Sequence, residues 1–184
     1  MYFSENIYKM ALIKPLRGIT PKYGKNCYFA ENATIIGDVF MGDHCTVWFN
    51  AVIRGDVNSI RICNKVNIQD GSILHTTFKK TVIQIGDNVS IGHNVIVHGA
   101  TIKPNVLIGM GAIIMDDAII GENSIIAAGA VVLENTVVEP GTIYGGIPAK
   151  KIKKVNEKQT REMIERIANN YLKYADWYRD KPGI

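Results

Sequence analysis

An aliphatic residue recurs at every sixth position through much of this chain, and no other feature constrains its fold as strongly. The clearest series is Ile102, Ile108, Ile114, Ile120, Ile126, Val132 and Val138. A small or β-branched residue follows each by four positions, as in Val106, Ala112, Ala118, Ser124, Ala130, Thr136 and Thr142. The same template fits upstream at Met41, Val47, Ile53, Ile62, Ile68 and Leu74.

A period of six residues is typical of the hexapeptide β-helix, in which each unit is one short strand followed by one turn. Three units close a triangular coil. The aliphatic residue, position one of each unit, points inward and stacks on its equivalents in the neighbouring coils. We therefore predict a single-stranded left-handed parallel β-helix.

After residue 154 the apolar spacing changes to that of an α-helix. Asn156 and Gln159 are spaced as in a capping box. The apolar residues that follow at helical spacing are Met163, Ile164, Ile167, Tyr171, Tyr174, Ala175 and Tyr178. We predict a β-helix domain over residues 1–154 and a C-terminal α-helix over residues 155–184, with this stripe packed on the prism.

Composition limits the classes to which the chain can belong. Of its 184 residues, 21% are charged and 47% are hydrophobic, as in an ordinary globular protein. No apolar run approaches the ~18–20 residues that span a bilayer, and residues 1–17 do not resemble a secretory signal. Three cysteines, an odd number, argue against a disulfide framework. We expect a cytoplasmic protein with no membrane or nucleic-acid partner, because its most basic stretch, residues 150–154, lacks aromatic residues.

Repeat phase places several polar side chains on the outside of the prism. Position two of a unit points outward, and the polar residues at this position include Arg54, Gln69, His75 and His98. His75 and His98 fall on one face of adjacent coils, about 5 Å apart, on either side of a loop over residues 76–84. Arg54 joins that face if residues 59–61 are an insertion.

His93 falls on the neighbouring face with Gln69 and Asp70, so one prism cannot easily bring it to His75 and His98. A second prism can, because in a cyclic trimer one face of each subunit meets a different face of the next. Three neutral imidazoles with one open position are typical of a catalytic zinc site, although they also bind iron and cobalt. The alternative is three interface histidines that make ordinary hydrogen bonds.

Four segments carry a family resemblance: VWFNAVIRGDVNSIRI, NIQDGSILH, IGHNVIVHG and YGGIPAK. In combination they resemble the gamma-class carbonic anhydrase family, especially its short bacterial branch. The resemblance implies a homotrimer with a metal site at each subunit interface. It implies His75, His93 and His98 as the metal ligands, with zinc as the first choice of metal and iron or cobalt as alternatives.

The same resemblance implies roles for five further residues. Arg54 and Asp56 match a pair that stabilises the trimer interface, and Gln69 and Asp70 match a pair that positions the reacting water. Tyr144 matches an active-site tyrosine. The implied activity is the reversible hydration of CO2 to bicarbonate, with CO2 and bicarbonate as small-molecule partners.

The loop after His75 departs from the family pattern. The family's prototype carries an acidic residue there that passes a proton to bulk solvent, whereas this chain reads TTFKKTVIQ. We therefore expect slow turnover. Two other functions stay open: a non-enzymatic metal-binding trimer, and a CoA-dependent acyltransferase that uses one histidine as a general base.

Overall fold

The computed structural model describes residues 11–179 of the chain. The first ten strands are β1 (Leu12–Lys14), β2 (Lys22–Tyr23), β3 (Tyr28–Phe29), β4 (Thr34–Met41), β5 (Thr46–Val47), β6 (Val52–Ile62), β7 (Asn67–Ile68), β8 (Ile73–His75), β9 (Ile83–Ile85) and β10 (Ser90–Ile91). The next ten are β11 (Ile96–His98), β12 (Thr101–Ile102), β13 (Leu107–Ile108), β14 (Ile113–Ile114), β15 (Ile119–Ile120), β16 (Ile125–Ile126), β17 (Val131–Val132), β18 (Val137–Val138), β19 (Thr142–Gly145) and β20 (Lys150–Lys154).

These strands form the three faces of a left-handed parallel β-helix, which confirms the predicted fold. The first face holds β1, β8, β11, β14, β17 and the first halves of β4 and β6. The second face holds β2, β9, β12, β15, β18 and the second halves of β4 and β6. The third face holds β3, β5, β7, β10, β13, β16, β19 and β20. The last of these, β20, pairs antiparallel with β19.

The core of the prism is the stack of position-one residues that the repeat predicts. On the first face Ile53 pairs with Leu74, Leu74 with Val97, and Val97 with Ile114. All four side chains are 0% exposed. Full burial of one such side chain contributes about 1.5–3 kcal/mol. The stack therefore supplies a core that a single coil cannot form.

The insertion predicted at residues 59–61 lies slightly earlier in the chain. One residue separates Gly37 from Val39 in β4, whereas four residues separate their partners Gly55 and Ile60 in β6. The extra residues therefore fall within residues 56–59, and Ile60 has already returned to the regular register. The predicted position was wrong because the repeat phase fixes the length of an insertion better than its start. Asp56 therefore lies within these four residues, 56–59, which shift the register of β6 against β4 and which we call the inserted turn.

A helix follows the prism, and it runs from Glu157 to Arg179. It comprises α1 (Glu157–Gln159), a π-helical segment (Thr160–Glu165) and α2 (Arg166–Arg179). The predicted capping box is confirmed: the Asn156 side chain accepts from the Gln159 amide, and the Gln159 side chain accepts from the Asn156 amide. Over residues 11–179 no helix is both long and apolar enough to cross a membrane.

The helix packs on the third face. Near the N-terminal end of the helix, Ile164 packs in an apolar cluster with Leu107, Ile125 and Ile143 of the third face. Further along, the ring of Trp48 contacts Tyr171 and Tyr178 at centroid distances of 5.2 and 5.5 Å. The helix therefore descends along the face, from the later coils toward the earlier ones.

We expect Leu74→Ala to lower the free energy of unfolding by about 2–5 kcal/mol, because it opens a cavity between two coils. Ile119→Ala is the control, since Ile119 points outward and is 39% exposed. Its expected cost is about 1 kcal/mol or less. Urea unfolding followed by circular dichroism measures both variants. Equal costs would contradict a core built from the inward stack.

Candidate metal centre

His75 and His98 end two adjacent strands of the first face. β8 and β11 pair in parallel with His98 opposite His75, as the repeat phase predicts. Nδ1 of His75 lies 3.2 Å from Nε2 of His98. The two rings are tilted by 57°, and their centroids are 5.2 Å apart. One nitrogen from each ring therefore points toward the same place.

Asp56 holds the other nitrogen of His75. Its Oδ1 accepts from His75 Nε2 at 3.0 Å, and its Oδ2 accepts from the Arg54 guanidinium at 2.5 Å. Burial acts to raise the pKa of Asp56, but the hydrogen bonds from Arg54 and His75 outweigh it and keep the pKa below its usual value. Burial lowers the pKa of His75 against the opposing effect of Asp56. A neutral His75 that donates from Nε2 to Asp56 has its lone pair on Nδ1, the nitrogen that faces His98.

Asp116 holds His98 in the same way, and the sequence analysis did not identify it. Its Oδ1 accepts from His98 Nδ1 at 2.7 Å and from the Thr81 hydroxyl at 3.2 Å, while its Oδ2 accepts from the Thr77 hydroxyl at 2.7 Å. Burial acts to raise the pKa of Asp116, but the hydrogen bonds from Thr77 and His98 lower it below its usual value. The strand register could have identified Asp116. Because Ile114 pairs with Val97, residue 116 lies on the next coil, opposite Gly99 in the turn after His98.

The loop after β8 is fastened to this carboxylate. The Asn58 side chain, from the inserted turn, donates to the carbonyls of Thr77 and Thr81 at 3.1 and 2.8 Å. Gly99, with φ of 60°, leaves the space that Asp116 and Thr81 occupy, because a Cβ there would collide with both side chains. The insertion, the loop and the turn after His98 therefore form one connected network.

His93 lies at a different corner, in the turn after β10. Its Nδ1 is 2.8 Å from Asp70 Oδ2, and its Nε2 is 3.4 Å from the Tyr171 hydroxyl. The backbone joins the same corner, since the Asn94 amide donates to the Asp70 carbonyl. Neither of the other two predicted ligands contacts His93. Within residues 11–179, one chain brings together no group of three histidine, cysteine or carboxylate side chains able to hold a metal ion.

Gln69 follows β7, one coil earlier in the chain than His93, and its side chain is buried, with 5% exposed. Its Nε2 donates to Asn67 Oδ1 at 2.9 Å, and the Asn67 side-chain amide donates to the Ser90 hydroxyl at 2.7 Å. These bonds fix the side-chain amide of Gln69 with its nitrogen toward Asn67. The carbonyl oxygen is the end left to bind a ligand or a water molecule.

Tyr144, predicted as a site residue, does not contact the other predicted residues in this chain. It lies in β19, and β10, β13 and β16 separate that strand from β7. Four strand spacings of about 4.8 Å put it roughly 19 Å from Gln69 along the prism. Its position opposite Ile126 packs it, half-buried, against the stacked core. Tyr171, which the sequence analysis assigned to packing alone, is the tyrosine that contacts a predicted ligand.

The donor chemistry of the three histidines fits a divalent metal ion. Each has one ring nitrogen on a carboxylate, of Asp56, Asp116 or Asp70, which is the usual arrangement around metal-bound histidines. His75 Nδ1 and His98 Nε2 are 3.2 Å apart. Two nitrogens bound to one tetrahedral metal ion, each at about 2.05 Å from it, are separated by about 3.4 Å, which is close to that distance. Two lone pairs this close repel unless a proton or a cation lies between them.

Comparisons with known proteins agree with this architecture. The family described as "Bacterial transferase hexapeptide (six repeats)" matches residues 99–134. A Geobacillus kaustophilus protein named "Carbonic anhydrase" is 47% identical over 91% of this chain and 91% of its own length. "Gamma carbonic anhydrase 3, mitochondrial" of Arabidopsis thaliana is 46% identical over 86% of this chain and 63% of its own length. A solved structure titled hexapeptide transferase family protein, from Anaplasma phagocytophilum, is 35% identical with a TM-score of 0.86, over 91% of this chain and 98% of that chain.

We expect Gly99→Ala to lower the free energy of unfolding by about 1–3 kcal/mol more than Gly111→Ala does. Both glycines have positive φ, of 60° and 69°, so both variants carry the same kind of backbone strain. Only at Gly99 would the new Cβ displace Asp116 and Thr81, whereas a Cβ at Gly111 meets nothing within 4 Å. Chemical unfolding of both variants measures the difference. A larger loss for Gly111→Ala would show that the network around Asp116 adds no stability.

Proposed function

Because the chain belongs to the gamma-class carbonic anhydrase family, we propose that it catalyses the reversible hydration of CO2 to bicarbonate at a metal centre shared by two subunits. The observation that carries the proposal is the arrangement of His75 and His98. Their two lone-pair nitrogens face each other at 3.2 Å, and each ring is oriented by an ionised carboxylate.

The third ligand in this proposal is His93 of a neighbouring subunit. In its own chain His93 lies at another corner, where Asp70 holds Nδ1 and leaves Nε2 as the nitrogen able to bind an ion. The first face offers a surface for the neighbour, since Ile73 and Ile96 stack in register, point outward and are 41% and 38% exposed. A homotrimer lets the corner of each subunit meet the first face of the next and closes the ring.

Zinc is the metal we propose first, because three neutral imidazoles with one open position suit it best. Iron and cobalt are the alternatives, since imidazole binds both. Such an ion would supply Lewis-acid activation of water near neutral pH.

The chain's own side chains orient the reaction. Gln69 presents a carbonyl oxygen, fixed through Asn67, that can accept a hydrogen bond from the attacking water. Asp70 and Asp56 hold the rings of His93 and His75 in the tautomers that expose the correct nitrogen. Arg54 keeps Asp56 ionised, and its position on the first face fits a role at the subunit contact.

We expect the metal-loaded protein to hydrate CO2 in a stopped-flow assay and His75→Ala to lose at least about a hundredfold in kcat/KM. His44→Ala is the matched control, because His44 is an exposed histidine on a turn. Metal analysis of each protein accompanies the rates. Equal rates for wild type and His75→Ala would refute the proposal, and bound metal without hydration would favour a non-enzymatic trimer. Calorimetry with acetyl-CoA tests the acyltransferase alternative.

The shared site gives this experiment a sharper form. His75→Ala and His93→Ala subunits should each be inactive alone, yet a mixture that is unfolded and reassembled should recover activity. With random assembly of equal amounts, about a quarter of the interfaces combine an intact His75 with an intact His93. Recovery near that fraction supports a site built by two subunits. No recovery, under conditions in which reassembled wild type is active, would contradict a site built by two subunits.

We expect the turnover rate to depend strongly on buffer concentration. The loop after His75 contains no acidic residue that could carry the proton released by CO2 hydration to the solvent. Residues 78–80 of that loop, Phe78, Lys79 and Lys80, are exposed, and none of them is acidic. Raising imidazole at constant pH and ionic strength should increase kcat severalfold and leave kcat/KM unchanged. Lys79→Glu should reduce this dependence, with the exposed Lys103→Glu as control. A kcat independent of buffer concentration would show that the chain has its own proton path.

A further inference from the structure

A cleft of about 410 Å³ lies between the C-terminal helix and the third face. Leu107, Met110, Ile125, Met163 and Ile167 are among its lining side chains, so its walls are largely aliphatic. Gln69 and His93, on the earlier coils, lie at its lower end with Tyr171. Arg166, five residues before Tyr171 on the descending helix, lies toward its upper end.

Small residues line the prism side of this cleft. Above Gln69, the position-two column of the third face continues with Gly92, Gly109 and Ala127, all of which line the cleft. The opposite wall includes Met163, which belongs to the π-helical segment Thr160–Glu165. A π-helical turn is rare and occurs frequently at functional sites.

The cleft is far larger than the substrate of the proposed reaction requires. A water molecule takes about 30 Å³ of liquid, and CO2 has only three heavy atoms. Volumes of roughly 300–1,000 Å³ with apolar walls and few polar groups are typical of sites for organic ligands. The space between helix and prism thus has the size and the lining of a second binding site.

We propose that this cleft binds a medium-chain aliphatic carboxylate, with its chain against the aliphatic walls and its carboxylate on Arg166. The guanidinium supplies the charge complementarity. Its Nε donates to the Glu162 carbonyl at 3.0 Å, and among residues 11–179 Arg166 forms no ion pair, so its terminal nitrogens can bind a carboxylate bidentately.

The length of the ligand follows from the geometry. The cleft lining extends from Gln69, after β7, to Ala128, after β16, which is three strand spacings or about 14 Å. Within it, Arg166 lies about 7.5 Å along the helix from Tyr171 at the lower end. A carboxylate with a chain on the order of eight carbons spans this distance. The end of that chain would reach Gln69 and His93 beside the proposed metal centre.

This inference goes beyond the proposed function and does not need it to be correct. The cleft and Arg166 belong to one chain, and neither depends on a metal ion. Octanoate binding is therefore measured on the full-length protein both loaded with zinc and treated with chelator. If hydration activity fails while octanoate still binds, only the proposed function is refuted.

We expect isothermal titration calorimetry to give one saturable octanoate site per chain. Octan-1-ol and octylamine, which match the chain but not the charge, should bind at least about tenfold more weakly. Arg166→Gln should weaken octanoate binding by about tenfold and leave octan-1-ol unchanged. Arg161→Gln, an exposed arginine on the same helix outside the cleft lining, should change neither.

Two further variants test the walls. Ala127→Leu fills the cleft and should abolish binding of both octanoate and octan-1-ol, with circular dichroism as the check on folding. Met163→Ala enlarges it, should fold, and should shift the preference toward decanoate. Binding that does not saturate, or equal losses in Arg166→Gln and Arg161→Gln, would overturn the proposal. So would the absence of binding in the assembled protein, the result expected if a neighbouring copy fills the cleft.

Discussion

The in-register stacking of one coil on the next is the interaction on which the rest of this molecule depends. Parallel pairing places each position-one side chain directly on its equivalent, as with Leu74 on Ile53 and Val97 on Leu74. The same register places His98 on His75, one residue further along. A slip of one residue would turn the aliphatic stack outward and would separate the two histidines together with it. Stability and the candidate site therefore rest on the same backbone hydrogen bonds.

Three carboxylates at two corners of the prism then determine which ring nitrogens are available. Asp56 comes from the inserted turn, Asp116 from the coil above His98, and Asp70 from the coil below His93. Hydrogen bonds keep the pKa of Asp56 and that of Asp116 below their usual values despite burial. Carboxylates that stay ionised fix neutral imidazoles in one tautomer, which is the protonation state a metal ion needs.

The C-terminal helix gives the three faces different roles. It covers the outward apolar side chains of the third face and brings Tyr171 to His93, while Ile73 and Ile96 on the first face stay exposed. The covered face carries the cleft that we propose as a carboxylate site, and the exposed face is the surface that we propose for a neighbouring subunit. His93 belongs to both, because it lines the cleft and lies at the corner beside Asp70.

The sequence by itself determined the prism, its phase, the pairing of His75 with His98 and the capping box at Asn156. A six-residue period encodes these features directly, since each unit repeats the same strand, turn and inward side chain. Only the tertiary structure decided the exact place of the insertion, the partnership of Asp116 with His98, the contact of Tyr171 with His93 and the distance of Tyr144 from the site. These depend on how a loop, an inserted turn and a helix fold back on the prism, and the packing that directs them lies outside the repeat.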